Sequence, residues 1–336
     1  MRGKGINYDT GFFHKSFSRD FDPAVVGREL QIIREDLHCT AVRITGGDPD
    51  RLEQAALLAA AAGLEVWFSP FTCNLDPEEM LDLLADCAGR AERLRQSGAE
   101  VVLVLGAEIS LLNNGFMPGA TISERIKLLT NPPQLRAAIA VVPPLINAFL
   151  GRAAARVRAH FGGKITYAAM PFEQVDWAPF DIISLDMYRT AAVAEQFPGA
   201  MRTLAAQDKP VAITEFGAVT FRGGAALGAN AIDAVAWDDE TGKPTGLNGD
   251  FVRDEAEQAA EVGELLAIFD EAGIDSAFVF TFVQYALVHR PDGGPDLDMA
   301  AYSIVKTYED RRGATYPDMA WEPKAAFAAV AAAYRP

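Results

Sequence analysis

The chain has 336 residues, of which 50% are hydrophobic and 23% are charged. This length allows one large α/β domain or two smaller domains. The formal net charge of -16 argues against nucleic acid and anionic membrane surfaces as partners, and it fits a neutral or cationic small molecule.

The three cysteines and four histidines match none of the common frameworks built from these residues. The cysteines form no CxxC pair, and the histidines show neither HxxxH nor HExxH spacing. We therefore expect no disulfide framework, no metal site and no cofactor. The N-terminus lacks an apolar stretch of signal-peptide length, and two prolines interrupt the longest apolar run. These features predict a cytoplasmic protein with no membrane partner.

Short β-like runs alternate with longer helical patterns along the whole chain. The predicted strands are, in chain order, 4–8, 40–45, 64–70, 100–108, 164–170, 180–188, 209–215 and 275–282. Asp76 and Pro77 are typical of the start of a helix, and Gly273 is typical of a helix end. The pattern is therefore one of repeated β/α units.

The predicted strands are apolar throughout, which is typical of a parallel sheet covered by helices. Eight repeats, with no GxGxxG motif after the first strand, favour a (β/α)8 barrel over a doubly wound sheet. No linker divides the chain, so we predict one catalytic domain over residues 1–336. The connections after the fourth, seventh and eighth strands are long (109–135, 218–252 and 286–303), and long connections are commonly functional.

Polar residues lie at the carboxyl ends of the predicted strands, where barrel enzymes keep their active sites. The fourth strand ends at Glu108 and the seventh at Glu215, and a carboxylate buried there is costly unless it is paired or used. Two carboxylates about 5 Å apart suit a retaining glycosidase. Other polar or aromatic candidates on the strands are Asn7, Tyr8, Arg43, Trp67, Asp186, Tyr188 and Gln284.

These motifs resemble those of the clan A glycoside hydrolases, a retaining (β/α)8 group with its acid/base on strand four and its nucleophile on strand seven. The resemblance extends along the whole chain, and the TEFG end of the seventh strand is its most specific part. The matching segments are AVRI, LGAEIS, DIISLDMY, PVAITEFG and WEPKAAFAAV.

By this resemblance Glu215 would be the nucleophile and Glu108 the general acid and then the base. Arg43 would hold Glu215 ionised by lowering its pKa, and Tyr188 would donate a hydrogen bond to the same carboxylate. Glu108 would need a raised pKa to begin protonated. The substrate would be a small glycoside or an oligosaccharide, and the aromatic candidates for stacking on it are Trp67, Trp237, Phe282 and Tyr285.

Two departures from the family leave the substrate open. The family usually has an asparagine before the acid/base that binds the sugar 2-hydroxyl, where this chain has Ala107, and the eighth strand lacks the customary tryptophan. Either another amide (Asn7, Asn113 or Asn114) takes over, or the sugar differs at that carbon, or activity is weak.

Other interpretations of the two glutamates also remain open. The same carboxylates would suit a barrel isomerase, lyase or cyclase, or a carbohydrate-binding barrel without strong catalysis. In the plainest interpretation, Glu215 is only an ion-pair partner of Arg43, and Glu108 is only an acid at the start of a helix.

Overall fold

The computed structural model describes residues 1–11, 20–129, 132–238, 243–291 and 293–335. Its strands are β1 (Gly3–Asp9), β2 (Ala41–Gly46), β3 (Glu65–Pro70), β4 (Val101–Ala107), β5 (Lys164–Ala168), β6 (Ile183–Asp186), β7 (Val211–Phe216), β8 (Val235–Trp237), β9 (Pro244–Leu247), β10 (Ser276–Val279), β11 (Val305–Thr307) and β12 (Trp321–Pro323).

Helices connect most of these strands. They are α1 (Pro23–Glu35), α2 (Pro49–Ala61), α3 (Pro77–Gln96), α4 (Ile109–Leu112), α5 (Ile122–Leu129), α6 (Pro132–Arg158), α7 (Phe197–Ala205), α8 (Glu255–Ala272) and α9 (Ala325–Tyr334). Each of the first three begins at the proline of an Asp-Pro pair, because the aspartate caps free amides and proline needs no hydrogen bond at the first position. Within the described residues, none of the helices has the length and apolar character needed to cross a membrane.

Eight of the strands form one parallel sheet in the order β5, β4, β3, β2, β1, β10, β7, β6. The two outer strands approach each other, because the amide of Asp186 donates to the carbonyl of Ala169 at 2.9 Å and Ala169 bridges Leu185. The sheet therefore closes into a barrel surrounded by helices, and the predicted (β/α)8 fold is confirmed. The carboxyl ends of all eight strands lie at one mouth of this barrel.

The core has two layers, one inside the barrel and one between the barrel and the helices. Because side chains alternate along a strand, each strand contributes to both layers. The buried hydrophobic residues of the inner layer are Ala41, Trp67, Val102, Val104, Ala107, Ala168, Ile182, Ala212 and Phe278. This packing fills the barrel up to the level of the polar residues near its mouth.

The three long connections contain short elements of their own. The one after β4 holds α4 and α5, and the one after β7 holds a 3-10 helix (Ala225–Ala234) and the β8–β9 hairpin. Residues 130–131, 239–242 and 292 of these predicted loops lie outside the described part of the chain. The connections after β7 and β10 pack together in a separate hydrophobic cluster that includes Val219, Phe221, Val235, Leu297 and Tyr302.

Candidate active site

Glu215 lies near the carboxyl end of β7, where a register shift sets it beside Asp186 of β6. Tyr188, which follows β6, donates a hydrogen bond from Oη to Glu215 Oε1 at 2.8 Å. The Nη1 atom of Arg43 on β2 lies 3.6 Å from Glu215 Oε2. The side chain of Glu215 is 16% exposed, so it is largely enclosed while part of it still faces solvent.

Arg43 is fully buried inside the barrel and is held by several neighbours. Its Nε donates to Ser69 Oγ at 3.1 Å, and its Nη1 donates to Asn7 Oδ1 and to the carbonyl oxygen of Thr214, each at 3.2 Å. Its Nη2 has no hydrogen-bond partner among the described residues. These contacts fix one positive charge beside Glu215.

Glu108 directly follows β4 and has a left-handed backbone, with φ 46° and ψ 37°. This conformation costs a residue with a side chain roughly 1–2 kcal/mol, so neighbouring contacts must hold it. Its amide donates to the carbonyl of Ala168 at 3.0 Å, and its carbonyl accepts from the amides of Leu111 and Leu112 at 3.0 Å each. The side chain is half-buried, and its carboxyl group makes no hydrogen bond to the described residues.

Burial governs the protonation of both glutamates. The pKa of Glu215 is raised to about 7, chiefly by burial and then by the nearby Asp186, while Arg43 and Tyr188 act to lower it. Burial also raises the pKa of Glu108 well above its ordinary value, with added contributions from Asp186 and Glu215. Arg43 thus lowers the pKa of Glu215, as expected. The net pKa is nevertheless above its ordinary value, so the expectation of a lowered pKa is wrong, because the effect of burial exceeds the attraction to Arg43.

Asp186 is the last residue of β6 and is almost fully buried. It alternates with Ser184 and with Ile182, a member of the inner layer, and therefore faces the barrel interior. Neither carboxylate oxygen has a hydrogen-bond partner among the described residues, although the Thr214 hydroxyl lies close enough to favour the charged form. Burial raises the pKa of Asp186, and Arg43 opposes this effect.

Three expected substrate-binding amides instead bond to the protein backbone. Asn7 donates to carbonyls of β7 and β10, and Asn113 bonds to backbone groups in the connection after β3. The Oε1 atom of Gln284 accepts from the amides of residues 302 and 303. These contacts occupy both ends of the Asn7 and Asn113 amides, so we exclude these two residues from the candidate sugar contacts. For Gln284 only the amide oxygen is occupied, so its Nε2 group stays a candidate.

Three of the aromatic residues expected to contact the substrate are buried away from the barrel mouth. Trp67 is fully buried low in the barrel, where its Nε1 donates to Glu65 Oε1 at 2.9 Å at the start of β3. Tyr8 and Phe282 are fully buried in the layer between sheet and helices. These three side chains therefore have packing roles. Trp237, on the β8–β9 hairpin, is 38% exposed and remains a candidate for stacking on a ligand.

Sequence reasoning missed a buried group next to Glu108. Glu173 ends the short 3-10 helix after β5 and accepts hydrogen bonds from Ser110, Tyr167 and Met170. Its position in a short segment between β5 and β6 gives no periodic signal in the sequence, and it does not lie at the end of a strand.

The site therefore combines two carboxyl groups at the ends of β4 and β7 with one arginine and one tyrosine. The charge of Glu215 acts on Glu108, and both groups have pKa values displaced toward those needed for acid–base work near neutral pH. Within the described ranges, no three His, Cys, Asp or Glu side chains are grouped so that they could hold a metal ion.

No protein family and no curated protein matches this sequence. The structure is similar to that of a GH113 β-1,4-mannanase, with a TM-score of 0.60, 15% identity and 99% of each chain covered. It is also similar to GH5_18 from Streptomyces cattleya in complex with GlcNAc, with a TM-score of 0.58 and 14% identity over 99% of this chain and 79% of that chain.

A third similar structure is a β-glucuronidase from an uncultured Clostridium sp., with a TM-score of 0.60 and 14% identity. The match covers 99% of this chain and 50% of that chain. At these identities the likeness shows a shared barrel architecture. The barrel fold that the resemblance to clan A glycoside hydrolases implied is thereby confirmed.

Proposed function

We propose that this protein is a retaining glycoside hydrolase in which Glu215 is the nucleophile and Glu108 is the general acid and then the base. The observation that carries the proposal is the environment of Glu215, whose carboxylate is bonded by Tyr188 and faced by Arg43 at the end of β7. A structural ion pair would not require Glu108, with a raised pKa, at the same barrel mouth. The similar solved glycoside hydrolases support a glycoside as the substrate.

In the first step, the Glu215 carboxylate attacks the anomeric carbon while protonated Glu108 donates its proton to the leaving oxygen. The bond from the sugar to the leaving group breaks, and an ester forms between the sugar and Glu215. Tyr188 and Arg43 favour the ionised form of Glu215 that this attack requires. In the second step, Glu108 removes a proton from water, and the water oxygen displaces Glu215 from the sugar.

The electrostatics of the site fit this change of role. Before attack, the negative charge of Glu215 helps to keep Glu108 protonated. Once the ester forms, that charge is neutralised, so the pKa of Glu108 falls and its carboxylate becomes available as a base. The same pair of residues can thus supply an acid in one step and a base in the next.

We propose a β-linked glycoside or short oligosaccharide as the substrate. Among the described residues, the carboxylate of Asp186, the Nη2 atom of Arg43 and the hydroxyl of Thr214 are buried near Glu215 without a hydrogen-bond partner, and they are suited to bonding sugar hydroxyls. Trp237 is proposed as a stacking surface. Ala107 offers no side-chain amide for the 2-hydroxyl, so that contact must come from other groups.

Replacing Glu215 by alanine tests the proposal directly. Wild-type protein is expected to cleave at least one of the 4-nitrophenyl β-glycosides of mannose, glucose, N-acetylglucosamine and glucuronic acid, and the Glu215→Ala variant to cleave none. Azide should restore turnover in the variant and give a glycosyl azide of inverted configuration, because the small anion enters the space left by the carboxylate. Release of 4-nitrophenol and NMR of the product provide the measurements.

Glu309→Ala is the control, since it removes an exposed carboxylate that pairs with Arg290 and takes no part in the described site contacts. It should retain wild-type activity. A wild-type protein inactive on this panel and on β-linked oligosaccharides would contradict the proposal. Uptake of solvent deuterium into a sugar without hydrolysis would instead support an isomerase or lyase.

A further inference from the structure

The turn that carries Glu108 is tied to a second buried glutamate. Glu173 is fully buried, and its Oε1 accepts from Ser110 Oγ at 2.6 Å and from the Ser110 amide at 3.2 Å. Its Oε2 accepts from the Met170 amide at 3.0 Å. The Tyr167 hydroxyl lies 2.9 and 3.0 Å from the two oxygens. Four donors therefore converge on one carboxylate.

Tyr167 extends this network to the residue next to Glu108. Its Oη accepts a hydrogen bond from the Ile109 amide at 2.8 Å, while the same hydroxyl donates to Glu173. The two residues that follow Glu108, Ile109 and Ser110, thus have both backbone amides bound to this network. Since Glu108 has a left-handed backbone, these contacts act on the point where the chain departs from its preferred conformation.

The network lies on the β5 side of Glu108. Tyr167 belongs to β5, and the amide of Glu108 itself donates to the carbonyl of Ala168 on the same strand. Residues of β5 thus hold the backbone both at Glu108, through the carbonyl of Ala168, and directly after it, through the hydroxyl of Tyr167. Its carboxyl group is left without a hydrogen bond to the described residues, and so its direction depends on the backbone.

We propose that Glu173 is a positioning residue for Glu108, acting through Ser110 and Tyr167 to hold the proposed acid/base in the conformation that proton transfer requires. This inference rests on the proposed function. Glu173 itself is assigned no contact with the substrate. Its effect should therefore appear only in steps that depend on proton transfer by Glu108.

Glu173→Gln is a sharp probe, because the side chain keeps its size. Oε1 and Oε2 each accept from a backbone amide, that of Ser110 and that of Met170. In either orientation the new NH2 group of glutamine faces one of these N–H groups, so one hydrogen bond is replaced by a repulsive contact. The turn after Glu108 should move as a result.

The measurement uses two aryl glycosides of the same sugar, one with 2,4-dinitrophenol and one with phenol as the leaving group. The dinitrophenolate leaves without a proton, whereas the phenolate needs the acid. We expect Glu173→Gln to lower kcat/KM for the phenyl glycoside by about 10- to 100-fold, because misplacement of a catalytic group by about 1 Å has effects of this size. The dinitrophenyl glycoside should lose less than about 3-fold in the step that forms the ester.

A matched control separates positioning from a general loss of stability. Glu29 on α1 is another fully buried glutamate with several donors, among them the hydroxyls of Tyr8 and Tyr285 and the Trp321 Nε1 at 2.9 Å. The Glu29→Gln variant should change both substrates by the same factor. Equal losses in Glu173→Gln would overturn the positioning role.

A second variant and a crystal structure test the positioning role independently of Glu173→Gln activity. If Glu173→Gln fails to fold, Ser110→Ala removes one donor from the same carboxylate and should give the same leaving-group pattern. A crystal structure of either variant should show Glu108 away from a φ of 46°, and an unchanged Glu108 would overturn the inference without any substrate. If Glu108→Gln itself shows no leaving-group dependence, then the proposed function fails, whereas a failure confined to Glu173 leaves it intact.

Discussion

At the residue scale, Asp186 and Glu215 lie side by side at the ends of β6 and β7, and one arginine faces both. Glu108 adds a third carboxyl group whose pKa responds to the charges of the other two. A single guanidinium cannot hold three carboxylates ionised in a buried space, so protons bind there at neutral pH. The protonation of the site is therefore a property of the group.

Replacing Asp186 by asparagine should move the pH profile of kcat/KM to lower pH. Activity needs Glu215 ionised and Glu108 protonated, so the rate rises with pH through the pKa of Glu215, about 7, and falls through that of Glu108. Asp186 raises both pKa values, and removing its charge lowers both. Asp181→Asn is the control, because it removes the same charge before the start of β6, where Asp181 pairs with Arg158.

Tyr188→Phe tests the sign of this argument. The lost hydrogen bond stabilised the ionised form of Glu215, so the acidic limb should move to higher pH, opposite to the effect of Asp186→Asn. Profiles measured with the same aryl glycoside allow the two shifts to be compared. Shifts in the same direction, or a shift in the Asp181→Asn control, would contradict the assignment of Glu215 to the acidic limb.

At the element scale, the connections after β7 and β10 are joined to the start of α9 by buried charges. Lys324 Nζ lies 2.9 Å from Asp298 Oδ1 and donates to Thr220 Oγ1 at 2.8 Å. Arg253 Nη2 contacts Asp298 Oδ2 at 2.8 Å and Asp296 Oδ2 at 2.9 Å. Lys324 and Asp298 are almost entirely buried. This cluster joins the connections beside Tyr188 to α9.

Lys324→Met should destabilise the protein by about 3 kcal/mol, because breaking a buried ion pair leaves part of a charge uncompensated. Arg28→Met is the control, since Arg28 and Asp318 form an exposed pair at 2.8 Å that should contribute less than about 1 kcal/mol. Urea denaturation gives both free energies of unfolding. Equal decreases in the free energy of unfolding of the two variants would show that burial does not increase the contribution of the pair between Lys324 and Asp298.

The elements and the position of the site could be predicted from the sequence, whereas the side-chain directions could not. Apolar strands and Asp-Pro helix starts are local signals, and they are sufficient to predict that Glu108 and Glu215 lie at the same mouth of the barrel. Whether a strand residue faces inward depends on register, and a shift of one residue reverses it. Tyr8 therefore points outward, while Trp67 faces inward but too low.

Glu173 shows a second limit of sequence reasoning. Its proposed role depends on Ser110 and Tyr167, which are 63 and 6 residues away along the chain. Side-chain contacts between different elements, such as that of Glu173 with Ser110 in α4, leave no periodic pattern in the sequence. Asn113 is the opposite case. It is a polar residue that the sequence places near the site, but both ends of its side-chain amide form hydrogen bonds to backbone groups.

At the scale of the whole molecule, the barrel places several carboxyl groups where water is scarce. Burial raises the pKa values of both Glu173 and Glu215 to about 7, and it raises those of Glu108 and Asp186 as well. Each of these groups binds a proton more tightly in the folded state than in the unfolded chain. Folding at neutral pH therefore works against the ionisation that the proposed chemistry uses.

Glu215→Gln should accordingly stabilise the protein at neutral pH but not at acidic pH. The pKa of Glu215 is near 4.5 in the unfolded chain and about 7 in the folded protein. Between these values the folded state binds more protons, so the free energy of unfolding of the wild type falls as pH rises through this window. Glutamine imitates the protonated side chain and is free of that loss.

The variant should match the wild type near pH 4.5 and exceed it by up to about 3 kcal/mol above pH 7, since each pKa unit corresponds to about 1.4 kcal/mol. Thermal and urea unfolding at a series of pH values measure the difference in free energy of unfolding between the variant and the wild type. Glu309→Gln is the control, because Arg290 lowers the pKa of Glu309 and the sign is reversed. A constant difference between Glu215→Gln and wild type across this range would show that Glu215 ionises in the fold as it does in water.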